Sequence, residues 1–169
     1  IMGRATSFAF ASSSNHGAVN GVERAGGVAG YAYESSFEDT ANNGTIVANS
    51  YVGGIVGEAE STTLMRDIHT GEVRGGSQVG GLIGALERPG SRLERGANLS
   101  PSAVRGTLTA VGGLVGYLAI AEVTESFSLA PVQSVSGNAG GLIGEMDQGA
   151  TVADSFAMGT VTSPQPAAS

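Results

Sequence analysis

Apolar positions along this chain fall in a repeated frame. The pentapeptide Gly-Gly-apolar-apolar-Gly occurs at residues 26–30, 53–57, 80–84, 112–116 and 140–144. Successive first glycines lie 27, 27, 32 and 28 residues apart, a spacing at which self-similarity signifies stacked supersecondary units. With the first glycine as position 1, position 3 is Val28, Ile55, Leu82, Leu114 and Leu142, and position 4 is Ala29, Val56, Ile83, Val115 and Ile143. Position 7 is apolar in every copy (Ala32, Ala59, Leu86, Leu118, Met146), whereas position 6 varies as Tyr31, Glu58, Ala85, Tyr117 and Glu145. Period 2 links positions 3, 5 and 7, which predicts a strand that turns those positions inward and positions 2, 4 and 6 outward.

A second apolar block follows each pentapeptide, clearest as Val152-Ala153-Asp154-Ser155-Phe156-Ala157-Met158-Gly159-Thr160-Val161. From position 1 to the closing aliphatic the count is 20 for Ile46, Val73 and Val132 and 21 for Val161. The unit that begins at Gly80 needs 24 residues to reach Val104, with the excess around Arg88-Pro89-Gly90-Ser91 and Ser100-Pro101; insertions at turns are what a solenoid tolerates. Ser7-Phe8-Ala9-Phe10 and Gly17-Ala18-Val19 form a partial unit at the start, interrupted by an insert at Ser12 to His16.

A unit of about 27 residues holds three β-type runs separated by Gly, Asn, Ser or Pro, and no segment sustains 3.6-residue amphipathicity. The expected fold is therefore all-β: a parallel β-helix (β-solenoid) of about 27-residue coils with three short strands per coil, each run pairing with its equivalent in the coils above and below. Residues 1–162 form one solenoid domain of five to six coils, and 163–169, with two prolines and no periodicity, read as a linker-like tail where order should fade. The glycines at positions 1 and 5 are expected to make room for Phe8, Phe127 or Phe156 arriving from another wall.

Composition narrows the function classes. The net charge is −7, from 15 carboxylates against eight arginines, so a phosphate backbone is repelled and nucleic acid is not an expected partner. There is no cysteine, which removes disulfides and thiolate chemistry. No apolar run approaches the length of a membrane span, so membrane insertion is not expected, and the first residues lack a signal-peptide core and already read as the middle of a repeat. That is the pattern of a segment cut from a longer protein.

Gly81-Leu82-Ile83-Gly84, Gly113-Leu114-Val115-Gly116 and Gly141-Leu142-Ile143-Gly144 resemble the GLUG motif, with Gly54-Ile55-Val56-Gly57 close and Gly27-Val28-Ala29-Gly30 weaker. Together with the Ser-Phe-Ala-x-Gly-x-Val block, the resemblance spans nearly the whole chain. It implies a bacterial surface or secreted setting, in adhesin-like proteins or in non-catalytic parts of immunoglobulin A1-specific metallopeptidases. It implies no catalytic residue.

The candidate chemistry is sparse. His16 and His69 have no histidine or cysteine partner at ligand spacing, and no His-Glu-x-x-His sequence occurs. Glu122, Glu125 and Asp154 approach one another across neighbouring coils, and Glu58 shares a column with Glu145 three coils away; both sets read as solvated charges rather than a paired acid and base. The calcium-binding β-roll pattern and sustained threonine arrays are absent from the sequence. No cofactor and no catalysis are expected.

One feature suggests contact. If position 3 points inward, position 4 and the residue before position 1 point outward, as an apolar stripe of Val52, Val79, Val111, Val56, Ile83, Val115 and Ile143 flanked by Tyr31 and Tyr117. Such a stripe would mark an interface; a bend at the glycine pair would instead turn both columns inward. The expected function is a non-catalytic solenoid segment of a bacterial cell-surface or secreted adhesin-like protein, located outside the cell and acting in contact or as a rigid spacer. The partner would be a host or neighbouring-cell surface protein or glycan, or a second copy through open sheet edges. The alternative is an accessory, non-catalytic domain of a secreted enzyme.

Overall fold

The computed structural model describes residues 2–164. It is a right-through parallel stack with no helix among the described residues, a β-solenoid of about six turns with roughly 28 residues per coil. Cα partners in successive coils run Met2, Ala29, Val56, Ile83, Val115, Ile143, steps of 27, 27, 27, 32 and 28 residues. The tail expectation for 163–169 falls, from residue 165 on, outside the described residues.

Five coils carry five short strands each and the last described coil carries four, where the sequence suggested three. In the coil that starts at Val56 these are Val56–Glu60, Thr63–Met65, Ile68–His69, Val73–Gly75 and Ser77–Gly80. Each pairs in parallel with its equivalents, giving five walls, here A to E in that order. The extra strands are two to four residues long, too short to leave a period of their own in the sequence.

The long coil keeps its register because its extra residues sit at corners. Pairing of Thr63 with Arg92, His69 with Asn98, and Gly75 and Val79 with Gly106 and Val111 places two residues at the A to B corner, two between C and D, and one between D and E.

The interior is not one core. Positions 3, 4 and 7 join Phe37, Leu64, Leu93 and Val123 of wall B in one buried column, while Ala25, Val52, Val79 and Val111 of wall E join Ile46, Val73, Val104 and Val132 of wall D in another. The glycines explain the division. A Cβ on Gly53 would lie 2.7 Å from Leu82 O and closer still to Val56 O, so the backbones of walls E and A touch where any side chain would hold them apart. They do not admit phenylalanine rings: Phe8 and Phe156 are each 51% exposed. Position 3 forms an unbroken stack, with Leu82 N donating to Leu114 O at 2.8 Å and Leu114 N to Leu142 O at 2.9 Å.

Candidate contact surfaces and the buried polar column

The expected apolar stripe is not on the surface. Val52, Val79 and Val111 are fully buried in the D and E column, and Val56, Ile83 and Val115 are fully buried in the A and B column. Ile143 is partly buried against the latter. The cause is the bend at positions 2 and 3: the chain turns a corner there, so the residue before it and the residue after it both face inward, into different columns. Of the stripe and its flanks only Tyr31 and Tyr117 reach the outer face of wall A, half-buried.

Tyr31 lies among charges. The guanidinium groups of Arg4 and Arg24 sit 5.2 and 5.4 Å from its ring centroid, a cation–π arrangement, and Arg24 pairs with the buried carboxylate of Glu58. Burial pushes the Tyr31 hydroxyl above its ordinary range. Glu58, Glu60 and Glu87 each bring an oxygen within 4.8 Å of the others; Arg24 answers Glu58, Arg88 answers Glu60, and burial followed by these two neighbours raises Glu87. Tyr117 Oη donates to Asp147 at 3.1 Å.

Of the other carboxylates singled out in the sequence, Glu125 belongs to a surface ladder of ion pairs. Glu125 accepts from Arg95 at 2.8 Å, and Asp39 from Arg66 at 2.8 Å, with Arg66 holding Asp39 below the usual carboxylate range. Asp154 follows Glu125 at the same corner one coil on, and Glu122 is the Cα partner of Arg92. An open cleft of about 380 Å³ lies under the inserted corner, lined by Gly90, Ser91, Arg92, Ile120, Glu122 and Gly149. Its lining holds a single carboxylate, Glu122, which does not make a glycosidase pair.

Exposed apolar side chains gather on wall C, besides others scattered over the remaining walls and corners, such as Val22, Leu108 and Val135. Ile68, Phe127 and Phe156 occupy one column of the wall C strands, with the smaller, buried Ala97 between Ile68 and Phe127, and Leu99, Leu129 and Met158 lie two residues beyond Ala97, Phe127 and Phe156; Ile68 is 40%, Leu129 43% and Met158 75% exposed. The rings of Phe127 and Phe156 stack at 5.2 Å and 6°. The sequence reading placed these phenylalanines inside. The signal that finds them is the residue after each, because Asn42, His69, Asn98 and Ser128 share the inward column of wall C.

That inward column is polar and, from Asn42 to Ser128, buried. Asn15 Nδ2 donates to Asn42 Oδ1 at 2.8 Å, and Asn42 Nδ2 donates across the interior to Gly54 O at 2.8 Å; Asn98 Nδ2 does the same to Gly113 O at 2.8 Å. The column thus ties wall C to the glycine corner and completes the partition between the two apolar columns. Position 2 is glycine for the same reason, since a Cβ on Gly54 would lie 2.6 Å from His69 Nδ1.

A second polar device sits at the corners. Among the described residues fifteen non-glycine residues have positive φ, and all fall in three columns, among them Glu34, Ser61, Arg88 and Ile120 at one corner and Asp39, Arg66, Arg95 and Glu125 at another. At these two corners the residue after the left-handed one can turn its N–H inward, to a side-chain oxygen of the next coil: Ser35 N to Thr62 Oγ1 at 3.3 Å, Thr40 N to Asp67 Oδ1 at 2.8 Å, Gly96 N to Ser126 Oγ at 2.9 Å. The hydroxyls in turn donate to the carbonyl two residues back, as Thr62 Oγ1 to Glu60 O and Ser126 Oγ to Thr124 O.

Compared with models of protein families, with curated proteins and with solved structures, the chain matches none.

Proposed function

We propose that this chain is a non-catalytic β-solenoid segment of a bacterial cell-surface or secreted adhesin-like protein, serving as a rigid rod that makes contact through wall C. The observation that supports this reading is the gathering of exposed Ile68, Leu99, Leu129, Phe156 and Met158 on one wall, with half-buried Phe127 among them, an apolar face of the kind that marks an interface. The buried polar groups, by contrast, are mostly engaged with the backbone of neighbouring coils. The partner is better matched to a surface protein than to a glycan. One stacked pair of rings, Phe127 on Phe156, stands among the aliphatic and thioether side chains of Ile68, Leu99, Leu129 and Met158, a lining with little ring surface for a sugar to stack on.

The test is binding of the purified chain to host and neighbouring-cell surface proteins, beside glycans and itself, with a Phe127→Ser/Leu129→Ser variant as comparison. Capture of a surface protein by the parent chain, lost in a variant of unchanged β-type circular dichroism, is the expected outcome. Equal binding by both would remove wall C from the account. Inertness of the parent chain would reduce its role to that of a spacer.

A further inference from the structure

Two titratable side chains lie inside the same coil, one in each of the polar devices. Asp67 takes the place that Ser126 holds at its corner: its Oδ1 accepts from Thr40 N at 2.8 Å and from Thr40 Oγ1 at 2.7 Å. Its Oδ2 is buried with no hydrogen-bond partner. Hydroxyls at the equivalent corners donate to the carbonyl two residues back; a carboxylate has no proton for that bond, and a neutral carboxyl group has one. The two hydrogen bonds from Thr40 favour the carboxylate, but burial outweighs them and favours the protonated form.

His69 takes the place of an asparagine between Asn42 and Asn98. Its Nδ1 lies 3.2 Å from Asn42 Nδ2, and its Nε2 is buried without a partner. Whichever nitrogen carries the proton, one ring atom is unsatisfied, and a second proton would place a charge in a fully enclosed site, a burial cost that outweighs the backbone groups of Asn42 and Gly71 that favour it. His69 is therefore built for its neutral form. No salt bridge among the described residues reaches either side chain. The charged group that bears on Asp67 is Asp39, which acts in the same direction as burial. Around His69 the packed neighbours are Asn42, Asn98 and the glycine corner, none of them charged.

We propose that Asp67 and His69 form a compensating pair that holds the stability of this coil level through mild acidity, where either group alone would make it pH-sensitive. Burial raises Asp67 from 3.8 to about 6, so the folded chain keeps that proton more tightly. This contribution is present below 3.8 and is lost as pH rises through 6. Burial lowers His69 from 6.5 to about 4. Its contribution is present above 6.5 and is lost as pH falls toward 4. The two slopes run opposite over the same window.

The experiment is denaturant unfolding of the whole chain at pH 7 and pH 4.5 for the parent, Asp67→Ser, His69→Asn and the double variant, each substitution installing the residue that another coil uses at that place. Between pH 7 and 4.5 the unfolding constant should rise roughly 50-fold in Asp67→Ser, fall roughly 20-fold in His69→Asn, and change only a few-fold in the parent and the double variant. Carboxylates common to all four cancel in the comparison. Identical pH responses in the four chains would overturn the proposal. NMR of the His69 ring in the parent chain decides independently of whether the variants fold: a ring still neutral at pH 5 is expected, and titration near 6.5 would refute the pairing.

Discussion

Left-handed backbone at single residues turns this chain at the A to B and B to C corners, and among the described glycines only Gly90 and Gly149 adopt it. The other left-handed residues include arginine, glutamate, tyrosine and isoleucine, each at a cost of about 1 kcal/mol for the crowded Cβ. Ile120 is the extreme case, a β-branched residue at φ 52° and 53% exposed. Ile120→Asn should therefore raise stability by about 1 kcal/mol, read as a higher denaturation midpoint, because asparagine tolerates this region. A lower midpoint would show that Ile120 contributes more by packing against Gly149 than it loses in backbone strain. These corners were illegible in the sequence: no residue type marks them. The glycines were legible as sites of close approach, but the atoms they approach are backbone carbonyls and the Asn42 to Ser128 column rather than aromatic rings.

Among strands, the same residue type has opposite meanings on different walls. Phe37 in wall B is 1% exposed and stacks on Phe10 at 4.8 Å, whereas Phe156 in wall C is 51% exposed. Phe37→Ala should cost about 3 to 5 kcal/mol, as buried phenylalanines do, while Phe156→Ser should change stability by under about 1 kcal/mol. Equal losses in the two, measured by chemical denaturation, would contradict the assignment of walls. Position 3, position 7 and the closing aliphatics of wall D were readable because long-range repetition placed like residues in columns. Position 4 was misread for a local reason. Strict alternation was carried across a corner, and a corner resets the inside and outside of the chain. The two-residue strands of wall C hold a single inward residue each, so they have no alternation to detect until the coils are superposed.

On the scale of the molecule, the coil is the exchangeable unit. Val56 and Ile83 are Cα partners 27 residues apart, so deleting residues 56–82 joins Ile55 to Ile83 and returns every later residue to its own column. The shortened chain should fold with undiminished β-type circular dichroism per residue. Deleting residues 56–81 instead shifts the following strand by one place, exchanging inward and outward side chains, and should give an unfolded or aggregated product. If both deletions behaved alike, the columns would not be what holds the coils in register. The period alone made this architecture legible, down to the tolerance for extra residues at turns. The division of the interior was not, because it depends on which walls touch, and touching walls are distant in sequence.

That division also shapes how the rod answers force. Two filled tubes joined along a shared web of glycine backbone and polar side chains form a beam with unequal stiffness in its two transverse directions: flexing that compresses one tube while stretching the other is opposed across the full width, whereas flexing about the line that joins them is opposed only by the depth of one. A load borne sideways would be carried best when wall C and the glycine corner, the two ends of the web, lie across the direction of bending.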